Sequence, residues 1–94
     1  EVVSREASAE WDPKSMHYVY ILRSEKDNSR YIGITQNLKR RLFEHNRGNT
    51  KYTKTKAPYK IIWYSAFTDE GIAFKFERYL KSSSGYAFTK KHLI

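Results

Sequence analysis

Two tyrosines, Tyr20 and Tyr31, stand eleven residues apart, each inside a short run rich in aromatic and β-branched residues. If Arg23 pairs with Arg30 across a turn, Leu22 faces Tyr31 and Tyr20 faces Gly33. The two phenols are then diagonal neighbours on one sheet face, about 7–8 Å apart. Gly33 leaves a hollow beside Tyr20, and a strand-interior glycine often marks close approach by backbone or ligand. Strands favour tyrosine in any case, so the pattern also fits ordinary strand residues. Arg41 and His45 are four residues apart on a helical stretch and share a face. An arginine fork fits a phosphate, and a histidine exchanges a proton near neutral pH. Together they could grip and act on one group; an exposed arginine beside a boundary histidine is the plain alternative. Glu77 beside a basic surface could hold one divalent cation, with phosphate oxygens and waters completing the shell. It also stands at the favourable i,i+4 spacing for an ion pair with Lys81. His17 and His92 have no partner at metal-ligand spacing, and no phosphate loop, dinucleotide fingerprint or nucleophile elbow is present.

The elements that must position these residues follow from periodicity and turn chemistry. Tyr18–Arg23 and Arg30–Thr35 read as strands joined through Lys26-Asp27-Asn28-Ser29. Asn37 caps a helix reaching about Asn46, with Leu38 and Leu42 as core contacts and Gly48 as its stop. Residues 47–59 form a basic loop, and Lys60–Phe67 is a third strand, expected to be the most buried. Thr68 or Asp69 caps a second helix to about Lys81, with Ile72, Phe76, Tyr79 and Leu80 on its apolar face and Glu77 one position off it. Ser82-Ser83-Ser84-Gly85 breaks that helix, and Tyr86–Ile94 forms a short final one packing through Phe88 and Leu93. Residues 1–16 are an N-terminal arm, docked by Trp11, and 17–94 are the domain. The order β-β-α-β-α-α gives an α+β fold, a three-stranded antiparallel sheet flanked by helices.

A chain of 94 residues allows one small domain. It has no cysteine, so disulfide frameworks, cysteine metal sites and thiol nucleophiles are excluded. No apolar run is long enough to span a membrane and no secretory signal is visible. A cytoplasmic location without membrane association is the expectation. Glu1 is not an initiator, which suits a chain that was processed, trimmed or cut from a longer one. The net charge is +8, and residues 39–60 alone carry +7, with only Glu44 opposing eight basic residues. Such a concentrated block is the footprint of a polyanion binder. Arg40, Arg47, Lys51, Lys54, Lys56 and Lys60 are the residues expected to track a nucleic-acid backbone.

Together the pieces resemble the GIY-YIG nuclease family. The likeness lies in Tyr18-Val19-Tyr20-Ile21-Leu22 and Tyr31-Ile32-Gly33, then Asn37-Leu38, Arg40-Arg41-Leu42, Glu44-His45-Asn46 and Gly48. It continues through Tyr52-Thr53, Pro58, Trp63 and Ala73 to Phe76-Glu77-Arg78-Tyr79-Leu80-Lys81 and Gly85. It covers about residues 17–94 and is closest to the small single-domain bacterial members. In this region it is also similar to the nuclease module of the excision-repair incision protein. The resemblance implies a phosphodiesterase using one divalent ion, Mg²⁺ or Mn²⁺. Tyr20 and Tyr31 match the tyrosines of the two motifs, Arg41 the arginine that contacts the scissile phosphate, and His45 a histidine of part of the family. Glu77 matches the metal-binding glutamate. The first motif has Tyr18-Val19 where Gly-Ile would stand. No asparagine follows Asn49, where many members carry one after the glutamate; Ser83 or Ser84 could do part of its work.

The implied reaction is in-line attack of water on a DNA phosphorus with departure of the 3′ oxygen. One tyrosine, or His45 acting with one, takes the proton of the water. Tyrosine is a poor base at an ordinary pKa near ~10, and Arg41 and the cation are expected to lower that value. Arg41 would neutralise the pentavalent phosphate, and Mg²⁺ or Mn²⁺ on Glu77 would stabilise the leaving oxygen. A fold kept for nucleic-acid binding without useful catalysis is the alternative, and a basic face for an acidic protein is another. A homodimer making two cuts and a monomer making one both fit the size. Repair, recombination, DNA uptake and mobile-element functions all remain open.

Overall fold

The computed structural model describes residues 16–48 and 55–94. The arm over 1–15 with Trp11, and Lys51, Tyr52, Thr53 and Lys54, lie outside the described residues. Strands β1 (His17–Ser24) and β2 (Arg30–Thr35) form the expected hairpin, and α1 (Leu38–Asn46) follows. Strand β3 (Tyr59–Phe67) completes the sheet before α2 (Glu70–Leu80) and α3 (Ser83–Phe88), which runs into a π-helical turn over Thr89–Leu93. The sheet is antiparallel in the order β2-β1-β3. This is the α+β architecture expected from the sequence.

The hairpin register is Leu22 opposite Tyr31 and Tyr20 opposite Gly33, as the strand spacing predicts. Its turn is closed by side chains. The Ser24 hydroxyl accepts the Lys26 and Asp27 N–H groups at 3.0 and 3.2 Å, the Asp27 carboxylate accepts Ser29 N–H at 2.9 Å, and Asn28 takes φ 62°. Asparagine tolerates that left-handed geometry. Asn37 caps α1 by accepting Arg40 N–H at 3.0 Å, and Gly48 at φ 74° ends it. Asp69 caps α2 through Ile72 N–H at 3.0 Å.

Side chains of β1 alternate between two cores. Val19 and Ile21 face α2 and α3 with Ala73 and Leu80, joined by Trp63, Phe67, Phe76 and Phe88. Tyr20 and Leu22 face α1 with Tyr59, Leu38 and Leu42. Met16, assigned to the arm, is buried with Tyr18 and Ala66 and belongs to the domain.

Three expectations change. The most buried strand is β1, not β3, because β1 pairs on both sides while β3 is an edge. On α2 the inward stripe is Ala73, Phe76, Glu77 and Leu80, whereas Ile72 and Tyr79 are 56% and 39% exposed. Glu77 therefore sits in the inward stripe rather than beside it. The break after α2 is confined to Lys81 and Ser82; the Ser82 hydroxyl accepts Gly85 N–H at 3.1 Å and starts α3 three residues earlier than expected.

Candidate active site

Tyr20 lies in the middle of the central strand, and its ring runs across the sheet over Gly33. A Cβ added at Gly33 would collide with the Tyr20 hydroxyl and ring. The hollow expected beside Tyr20 is thus filled by the tyrosine itself, and the glycine is there to let the ring lie flat. The ring ends at α1, where the Tyr20 hydroxyl is 3.1 Å from His45 Nε2, within hydrogen-bond distance. His45 is fully buried, on the α1 turn that the Asn37 cap sets in phase with the sheet. Tyr31 stacks against Tyr20 at 6.4 Å between centroids and packs on His45 at 4.6 Å. The three rings form one aromatic cluster, closed by Tyr59 at 6.2 Å from His45.

Arg41 borders this cluster. Its guanidinium lies beside the Tyr20 phenol, and Nη1 donates to Glu44 Oε1 at 3.0 Å. The other Glu44 oxygen accepts Arg40 Nε at 3.0 Å, so one carboxylate orients two arginines. They border a polar groove of about 350 Å³ with Thr35 and Asn37. Arginine beside Glu44 holds that carboxyl below its ordinary range, Arg41 acting more than Arg40.

Burial pushes the Tyr20 phenol up to about 12, and the Arg41 guanidinium offsets this only in part. Arg41 pulls the phenol down, as expected, but removal from water outweighs this one neighbouring charge. The Glu77 charge adds the least to the upward push. Burial, then the Arg41 charge, holds His45 below its ordinary value. Its ring is neutral at neutral pH, and its Nδ1 has no hydrogen-bond partner among the described residues.

Glu77 is 7% exposed and its Oε2 pairs with Lys81 Nζ at 2.5 Å. The ion pair that the i,i+4 spacing allowed is therefore made. Lys81 is the exposed partner, with 54% of its side chain accessible, so it can swing away from a carboxylate that cannot. Among the described residues no group of three or more His, Cys, Asp or Glu side chains comes together. One buried carboxylate of hard oxygens fits Mg²⁺ or Mn²⁺ completed by phosphate oxygens and waters; it does not fit zinc.

The structure thus brings Tyr20, Tyr31, Arg41 and His45 together on the α1 side of the sheet, while Glu77 comes from α2 and its charge acts only weakly on Tyr20. The basic residues are more dispersed. Arg40 pairs with Glu44, Arg47 covers the Phe43 ring at 5.3 Å, and Lys60 is exposed on β3. Lys56 clamps the hairpin turn through Asp27 at 2.9 Å, a structural task the charge count did not separate from binding. Ser83 and Ser84, considered in place of an asparagine, are exposed in the first turn of α3. Thr89, which nothing in its sequence context marks, lines the β2–α3 cleft with its hydroxyl buried.

A fold of this topology with this cluster defines the chain's class. Residues 16–91 match the family described as the GIY-YIG catalytic domain, and the chain belongs to it. It is similar to a UPF0213 protein of Staphylococcus haemolyticus, 41% identical over 69 residues that cover 72% of this chain and 83% of the relative. A UPF0213 protein of Clostridium perfringens is 42% identical over 67 residues, covering 70% and 71% of the two chains. The solution NMR structure of the UPF0213 protein BH0048 from Bacillus halodurans shares the fold. Its TM-score is 0.51 at 32% identity, covering 81% of this chain and 83% of that one. No helix among the described residues is long and apolar enough to cross a membrane.

Proposed function

We propose that this chain is an endonuclease that hydrolyses DNA phosphodiester bonds with the help of one divalent cation held by Glu77. The observation that carries this is the Tyr20–His45 pair, 3.1 Å apart and bordered by Arg41, in a chain of a nuclease family. A phenol held near 12 is not itself a base at neutral pH, but a neutral imidazole is. Tyr20 gives its phenolic proton to His45 Nε2 as it takes one from the attacking water. The oxygen of that water bonds to phosphorus and the 3′ oxygen leaves. Tyr31, packed on His45, orients the water. Arg41 donates to the non-bridging oxygens while Glu44 holds the guanidinium in place. The cation, when bound, supplies Lewis-acid stabilisation of the leaving oxygen. Lys81 must release Glu77 to admit it.

The Lys81–Glu77 pair favours a second reading, a nucleic-acid-binding module of the same fold in which Glu77 stays paired. Cleavage of labelled single-stranded, duplex and branched DNA separates the two. With Mn²⁺ or Mg²⁺ at least one substrate is cut, and a chelator abolishes cutting. Cutting that survives the chelator would contradict the cation on Glu77, and none on any substrate would contradict the nuclease reading.

A further inference from the structure

Between the outer edge of β2 and α3 lies a cleft of about 460 Å³, within the size range of small-molecule sites. It shares Tyr31 and Lys81 with the site above. At its other end the Arg30 guanidinium lies 4.3 Å over the ring of Tyr86, which is 55% exposed. Thr89 lines the cleft at 1% exposure, and its hydroxyl has no hydrogen-bond partner among the described residues. A buried hydroxyl left unpaired is a cost to the fold. Arg30, Tyr86 and Thr89 are not used by the hydrolysis itself.

We propose that this cleft is a subsite for an unpaired nucleobase, which stacks against Tyr86 and Arg30 and hydrogen-bonds through its edge to the Thr89 hydroxyl once that buried side chain turns into the cleft. The proposal rests on the nuclease reading for the identity of the ligand. Aromatic and guanidinium planes are the surfaces on which splayed bases stack. A hydroxyl both donates and accepts, which suits a base edge. A phosphate is the poorer occupant. Lys81 is paired with Glu77, and the Leu80, Tyr31 and Tyr86 walls would stay wet around an anion. Because Tyr31 belongs to both places, the base would be that of a nucleotide adjoining the scissile phosphate. A base held in a duplex stack cannot enter, so the subsite selects single-stranded or splayed DNA.

The test is binding in a chelator, where nothing is cut, read by fluorescence anisotropy. It compares a short labelled single strand with an abasic strand of equal length and charge. The base-bearing strand binds about tenfold more tightly, the scale of one stacked base. Tyr86→Ala and Thr89→Val each remove most of that preference and leave abasic affinity unchanged. Thr89→Val keeps the volume and deletes an unsatisfied group, so it folds; Tyr86 is exposed, so its loss leaves the core intact. Equal binding of the two strands, or a preference that survives both substitutions, overturns the subsite. Wild-type cleavage in Mn²⁺ is measured alongside. Cutting without a base preference overturns the subsite alone, and a base preference without cutting supports the subsite while overturning the nuclease reading.

Discussion

His45 carries the most information of any single residue here. It is buried, neighbours a cation, and has its ring held below the ordinary histidine value. In the unfolded chain it returns to about 6.5. As pH falls below that, the unfolded state binds a proton first, so stability is lost as pH drops toward the folded value. Asp27, held far below the usual carboxylate range by Lys56 and Ser29, and Glu44 behave with the same sign. Their unfolded values lie near ~4, so their losses begin at lower pH. Urea unfolding should therefore show a fall in stability starting below about pH 6.5 that is absent in His45→Gln. An equal fall in the variant would contradict the assignment. Sequence spacing placed Arg41 and His45 on one face, but could not show that the histidine is buried against Tyr20. Nor could it show that burial outweighs Arg41 at the phenol.

At the scale of elements, the β1–β2 hairpin was legible because both strands follow from local composition and their turn fixes the register. Tyr20 and Tyr31 landed on one face for that reason. The face of α2 was not, because Ile72 is apolar yet exposed and Ala73 is small yet buried. The phase depends on what the helix meets, and that is set by strands distant in sequence. The β3 expectation failed on strand order, which no local pattern encodes. The α2–α3 junction is held by close backbone approach. A Cβ on Gly85 would run into the Tyr79 carbonyl and Leu80 Cα, neither of which can rotate away. Gly85→Ala should cost about 1–3 kcal/mol, read as a lower thermal midpoint. An unchanged midpoint would show that the junction has slack.

Across the whole molecule, the basic block is only partly a binding surface. Of its cations, Arg40 and Arg41 meet Glu44, and Lys56 meets Asp27. Family membership and the charge pattern both point toward nucleic acid, while the catalysis proposed above rests on Glu77 and the Tyr20–His45 pair. Those two contributions can be taken apart by one substitution. The direct measurement is cleavage and chelator-state DNA binding of Glu77→Gln beside wild type. Cleavage in Mn²⁺ should fall by about 10²-fold or more while affinity for DNA is retained, because the side chain's volume is kept and only the charge is lost. Cleavage that persists in Glu77→Gln would contradict a single-cation site at this glutamate.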